Sequence, residues 1–119
     1  MAFARAIVAA YHRREHDPAQ ALAAAQITPS ELQRQDARIT ARQMEALSAA
    51  AMQELDDEGL GAFDRRLPWG TYGMLARASL TAPTLDVALR RWCRHHGLVT
   101  QAIRLELATG PAAQVTLKE

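Results

Sequence analysis

The stretch TQAIRLELATGPAAQVTLKE, residues 100–119, decides the fold class. Ile103, Leu105 and Leu107 alternate with Arg104 and Glu106, and Val115 and Leu117 alternate with polar neighbours. A period of two marks a strand with one face buried. GPAA, residues 110–113, supplies a turn between the two runs, so a β-hairpin is expected. A two-stranded hairpin alone is marginal and leaves both edges open. It must therefore pack on helices or belong to a larger sheet.

Upstream of this stretch the period changes to that of helices. Phe3, Ile7, Ala10 and Tyr11 fall on one stripe of a first helix expected to end near His16. Asp17, Pro18 and Gln20 suggest a second start, with Asp17 as cap and Gln20 completing a capping box. Thr28, Pro29 and Glu31 repeat the device, and Thr40 with Gln43 repeats it again. On the helix opened by Thr40, Met44, Leu47, Ala51 and Leu55 share a face, and Gly59 is the expected stop. The turn-rich DRRLPWGTYG then leads to a helix over about 71–80. A last helix opens at Thr84 and is expected to stop at Gly97, with Leu85, Ala88, Leu89, Trp92 and His96 as its apolar stripe. The expectation is an α+β chain: an N-terminal helical bundle of about five to six helices over 2–97, then a C-terminal hairpin over 100–118, forming one domain.

Composition narrows the function classes. The 119 residues suffice for one domain with a core, and a hydrophobic content of 49% argues against disorder. Aromatics are only 5%, so alanine and leucine must carry much of the packing. A net charge of +1 is too balanced for a general polyanion binder. The charge is segregated, however: residues 45–64 hold six acids and no Lys or Arg, and residues 65–104 hold seven Arg and one acid. With 13 Arg to one Lys and many Ala, the composition suggests a GC-rich, bacterial genome. The single Cys93 excludes an internal disulfide and any Cys-cluster metal site, which fits a cytoplasmic setting. Arg5 interrupts the apolar start, so residues 1–17 read as an amphipathic helix and not as a signal peptide. No apolar run approaches the ~20 residues that span a membrane, so no membrane association is expected.

Catalytic and metal chemistry find little support. His12 and His16 are spaced i,i+4, but no third ligand accompanies them. Asp56, Asp57 and Glu58 are adjacent and read as a solvated helix end. No nucleophile–base pair, GxGxxG or phosphate-binding loop is present, so neither enzymatic activity nor a cofactor is expected. The basic helix TLDVALRRWCRHH, residues 84–96, carries its arginines late and Asp86 in its first turn, the reverse of a helix that reads DNA from its N-terminal end. The ligand-contact candidates are Trp69, Tyr72, Arg77, Trp92 and Arg104, with His96 able to reach a pocket; core packing is the stronger reading for Trp69 and Trp92, and an ordinary half-buried histidine is the alternative for His96. Aromatic walls with one or two cations suit a small carboxylate-bearing molecule.

GTYGMLARASLTAPTLDVALRRWCRHHGLV, residues 70–99, resembles a segment of the N-terminal, arabinose-binding-type regulatory domain of AraC/XylS transcription regulators. The likeness rests on Gly70, Tyr72, Pro83, Thr84, Leu85, Ala88, Leu89, Arg90 and Arg91. Residues 3–51 are similar too, through Asp17 and Pro18 and through Ala37, Arg38 and Ile39 before a helix start. The chain departs from the pattern at Val87, where relatives carry an acid, and at His95 and His96, where relatives carry aromatics. The resemblance implies a module that receives a small organic effector or self-associates as a homo-oligomer, while a separate C-terminal domain contacts DNA. Residues 1–119 are then expected to be the N-terminal part of a longer regulator. A stand-alone helical protein–protein interaction module is the competing expectation.

Overall fold

The computed structural model describes all residues from 1 to 119. Six helices precede a two-stranded antiparallel hairpin, so the chain is α+β as the change of period implies. Two compact units divide it, Met1–Ala62 and Phe63–Glu119.

The first unit contains α1 (Ala2–Arg13), α2 (Ala19–Ala24), α3 (Pro29–Gln33) and α4 (Ala41–Glu54). Its core joins Ala4, Ile7, Ala10 and Tyr11 of α1 to Ala21 and Leu22 of α2, with Ala25 and Ile27 just beyond, and to Leu47, Ala51 and Leu55 at α4. Five of these eleven are alanine, the small side chains that let helices approach closely. Met44 is half-buried beside them. Phe3 does not join the α1 stripe: Ala4 takes the buried position and Phe3 is 62% exposed. The capping boxes at Thr28/Glu31 and Thr40/Gln43 form in full. The one at Asp17/Gln20 does not; Pro18 is the N-cap and Asp17 instead accepts the Ala19 amide in a two-residue Asx turn.

Three helices of this unit end in the same way, without glycine. After α1 the amides of Glu15 and His16 bond back to the carbonyls of His12 and Tyr11. After α2 those of Gln26 and Ile27 reach Ala23 and Leu22, and after α4 those of Asp56 and Asp57 reach Gln53 and Met52. These paired bonds are Schellman closures, and they place Glu15, Gln26 and Asp56 at φ of 56°, 54° and 47°. Hence α1 stops at Arg13, three residues before His16, and α4 stops well before Gly59. His12 and His16 are consequently not on one helical face.

Asp57 overturns the reading of the DDE run as solvated. It is 1% exposed and meets Arg14 at 2.7 Å. Its oxygens also accept the amides of Gly59 (3.0 Å) and Gly61 (2.9 Å). Arg13 donates to the Gly61 carbonyl, so two arginines of α1 and its C-cap hold the 57–61 turn. Gly61, at φ +73°, lies so near Ala10 that a Cβ there would stand 2.5 Å from the Ala10 Cβ. Tyr11 donates its hydroxyl to Glu54 at 2.7 Å; burial, then that carboxylate, push the phenol well above its ordinary pKa.

The second unit contains α5 (Thr71–Leu80), α6 (Leu85–Val99), β1 (Arg104–Ala108) and β2 (Gln114–Lys118). The strands pair Leu105 with Leu117 and Leu107 with Val115, which puts all four apolar residues on one face. β1 packs against α6, so the hairpin is supported by a helix and not by further strands. Thr84 caps α6 by accepting the Val87 amide. Two expectations fail here. Leu85, at the mouth of the helix, is 74% exposed, and α6 runs through Gly97 to Val99 before Thr100 turns into the hairpin.

Candidate functional site

The segment leading into α5 sets the geometry of the second unit. Leu67 is 1% exposed and anchors the chain. The Pro68 carbonyl accepts both the Thr71 amide (3.0 Å) and the Thr71 hydroxyl (2.6 Å), and Gly70 takes φ +96° at the N-cap. Only a residue without Cβ adopts that angle cheaply. The turn thus leaves Trp69 on the surface, 52% exposed, next to the first turns of α5.

A surface groove of about 550 Å³ opens there. Arg65, Arg66, Trp69, Met74, Arg77 and Leu98 line it together with Leu67, Thr71 and Val99. Arg65 and Arg77 are exposed and form no ion pair. No acidic side chain contributes to the lining.

The other aromatic candidates form a separate cluster between α5 and α6. Tyr72 stacks on Trp92 with ring centroids 6.1 Å apart and planes 22° from parallel. On its other side the Tyr72 hydroxyl shares a hydrogen bond with Nε2 of His96 at 3.1 Å. His96 is 2% exposed, and its Nδ1 is buried without a partner. Burial lowers the imidazole pKa, because the charged form would lose its hydration. Burial thus favours the neutral imidazole, which stands between the two helices as the hydrogen-bond partner of Tyr72.

The six candidates thus divide into three groups. Trp69 and Arg77 share the groove; Tyr72, Trp92 and His96 share the stack; Arg104 lies apart on β1, beside a smaller cleft of about 300 Å³ lined with Cys93, Gly97, Thr100 and Ile103. Sequence reasoning passes over Arg65, Met74 and Leu98. The available signal for Arg65 is the charge segregation at residue 65; for Met74 and Arg77 it is their i,i+3 spacing on α5. Leu98 carries no signal, since it lies beyond the helix end expected at Gly97.

No three or more His, Cys, Asp or Glu side chains come together as a metal site. No helix is long and apolar enough to cross a membrane. The sequence matches a family model of a regulatory domain of transcription regulators. The match covers residues 16–119, and the family is the arabinose-binding domain of AraC transcription regulator, N-terminal; the chain belongs to it. No curated protein and no solved structure matches the chain significantly.

Proposed function

We propose that residues 1–119 form the N-terminal sensing part of a bacterial, cytoplasmic AraC-type regulator. In this reading the chain binds a small organic effector, self-associates, and controls a separate DNA-binding domain; it is not an enzyme. The observation that carries the reading is the family match over residues 16–119. The distribution of apolar surface supports it. Of the eight large hydrophobic side chains that are exposed, seven (Trp69, Met74, Leu80, Leu85, Leu98, Val115 and Leu117) belong to the second unit. In this reading the exposed apolar side chains of that unit are where a ligand or another chain binds. Leu80 and Leu85, at the two ends of the α5–α6 connection, and Val115 and Leu117 on the hairpin are the surfaces for self-association.

Reading the gene beyond codon 119 tests the proposal. A frame that continues into two helix-turn-helix motifs is expected. A stop codon at that point would replace the sensor with the stand-alone interaction module. The isolated chain should also fail to retard DNA specifically at moderate salt, and submicromolar sequence-specific binding would refute the division of labour.

A further inference from the structure

The groove beside Trp69 has a chemistry that narrows the ligand, and this inference rests on the sensing role proposed above. Its two unpaired cations, Arg65 and Arg77, have no carboxylate among the lining residues to neutralise them. Beside them stand three exposed apolar side chains, Trp69 (52%), Met74 (52%) and Leu98 (74%). Leu67 and Thr71 beneath are buried and fixed by the Pro68 turn, so the floor is formed before anything binds. A neutral sugar would leave the guanidinium charges unanswered, and an inorganic anion would leave the apolar wall in water. We propose that this groove binds an organic monocarboxylate with an apolar body, the carboxylate on Arg77 and Arg65 and the body against Trp69, Met74 and Leu98. Guanidinium–carboxylate pairing supplies orientation and charge-assisted hydrogen bonds, and the apolar contact supplies most of the desolvation gain. The volume of about 550 Å³ exceeds that of an eight-carbon chain and falls within the usual range for small-molecule sites.

The test uses the full 119-residue chain with octanoate as probe, followed by tryptophan fluorescence and by isothermal titration. Saturable binding at about 1 mM or tighter is expected, which is what about ten non-hydrogen atoms deliver at moderate ligand efficiency. The double variant Arg65→Gln/Arg77→Gln should weaken it by about tenfold or more, and 1-octanol should bind the unaltered chain about tenfold more weakly than octanoate. Phosphate alone should not saturate the site. Since both arginines are exposed, circular dichroism should confirm that the double variant keeps its fold. Equal affinity for octanol and octanoate, an unchanged constant in the double variant, or no saturation by octanoate would each overturn the assignment. The sensing role is judged separately by the gene beyond codon 119. A regulator with two helix-turn-helix motifs that ignores octanoate sinks the ligand class alone, whereas a stop codon sinks the sensor and leaves octanoate binding standing.

Discussion

Replacing Asp57 with alanine should destabilise the first unit by about 3 kcal/mol. The carboxylate is 1% exposed and answers three donors at once: Arg14 at 2.7 Å and the amides of Gly59 and Gly61 at 3.0 and 2.9 Å. Breaking a buried ion pair by removing one partner typically costs 3–5 kcal/mol, roughly, because the surviving charge is left without compensation. Arg14 is 22% exposed, so water recovers part of that loss and the pair contributes at the low end of the range. The two amides lose their acceptor as well, at about 1 kcal/mol each, though a water in the vacated volume offsets part of this. Urea unfolding followed by far-UV circular dichroism measures the change, with the midpoint shifting at constant slope. Arg14→Met completes a double-mutant cycle, in which the pair should show a coupling of about 1.5 kcal/mol or more. A loss below about 1 kcal/mol for Asp57→Ala, or strict additivity in the cycle, would refute the buried pair as the clamp on the 57–61 turn.

Other substitutions probe the backbone and the stack. Gln26→Gly should stabilise the chain by about 0.5 kcal/mol in thermal unfolding, since the exposed Gln26 sits at φ 54° where only glycine avoids steric cost, less the larger unfolded-state entropy of glycine. Gly61→Ala should cost about 3 kcal/mol, from the left-handed φ and the 2.5 Å encounter with Ala10, whereas Gly97→Ala in the open interior of α6 should gain about 0.5. Trp92→Ala should cost about 2 kcal/mol by removing a half-buried ring stacked on Tyr72, and Arg91→Ala clearly less, because it loses one hydrogen bond to Thr81; equal melting shifts would contradict the facing of α6. The depressed pKa of His96 gives a pH dependence with a definite sign. The unfolded chain binds the imidazole proton near pH 6.5 and the folded chain only at lower pH, so the His96 contribution to stability is complete above 6.5 and is lost as pH falls from there through the folded pKa. His96→Gln should remove that slope in urea titrations between about pH 7 and 5, and an unchanged slope would show that His96 does not titrate with folding.

The legible parts of the sequence are those governed by neighbours. Alternation along 103–107 and 115–117 announces the hairpin, and the residues of two capping boxes stand three apart, so the boxes at Thr28 and Thr40 can be read from residue order alone. The stack of Tyr72, Trp92 and His96 is partly legible because Trp92 and His96 are one helical turn apart. Asp57 is hidden because its partner is 43 residues away and its neighbours are acids, a context that looks solvated. The Schellman closures are hidden because Glu15, Gln26 and Asp56 take the role usually assigned to glycine. Leu85 and Phe3 show the limit of periodicity: it identifies a face, and tertiary packing decides how far along the helix that face is covered. The groove requires the chain to fold, since Arg65 and Leu98 are brought to one place from either side of α5.

The two units differ in how much they bury. All eleven residues of the hydrophobic core cluster belong to residues 1–62, while residues 63–119 rely on Leu67, Leu75, the buried His96 and a half-exposed aromatic stack. Segments with few buried apolar contacts open first in native-state amide exchange. A ligand that binds only the closed form at one hundred times its Kd adds about 2.7 kcal/mol against opening, a large increment for so thin a core. Occupancy in this chain would then be written as slower exchange along α5, α6 and the hairpin, with no displaced domain required: the signal is order itself, imposed on the half of the molecule that has least of its own.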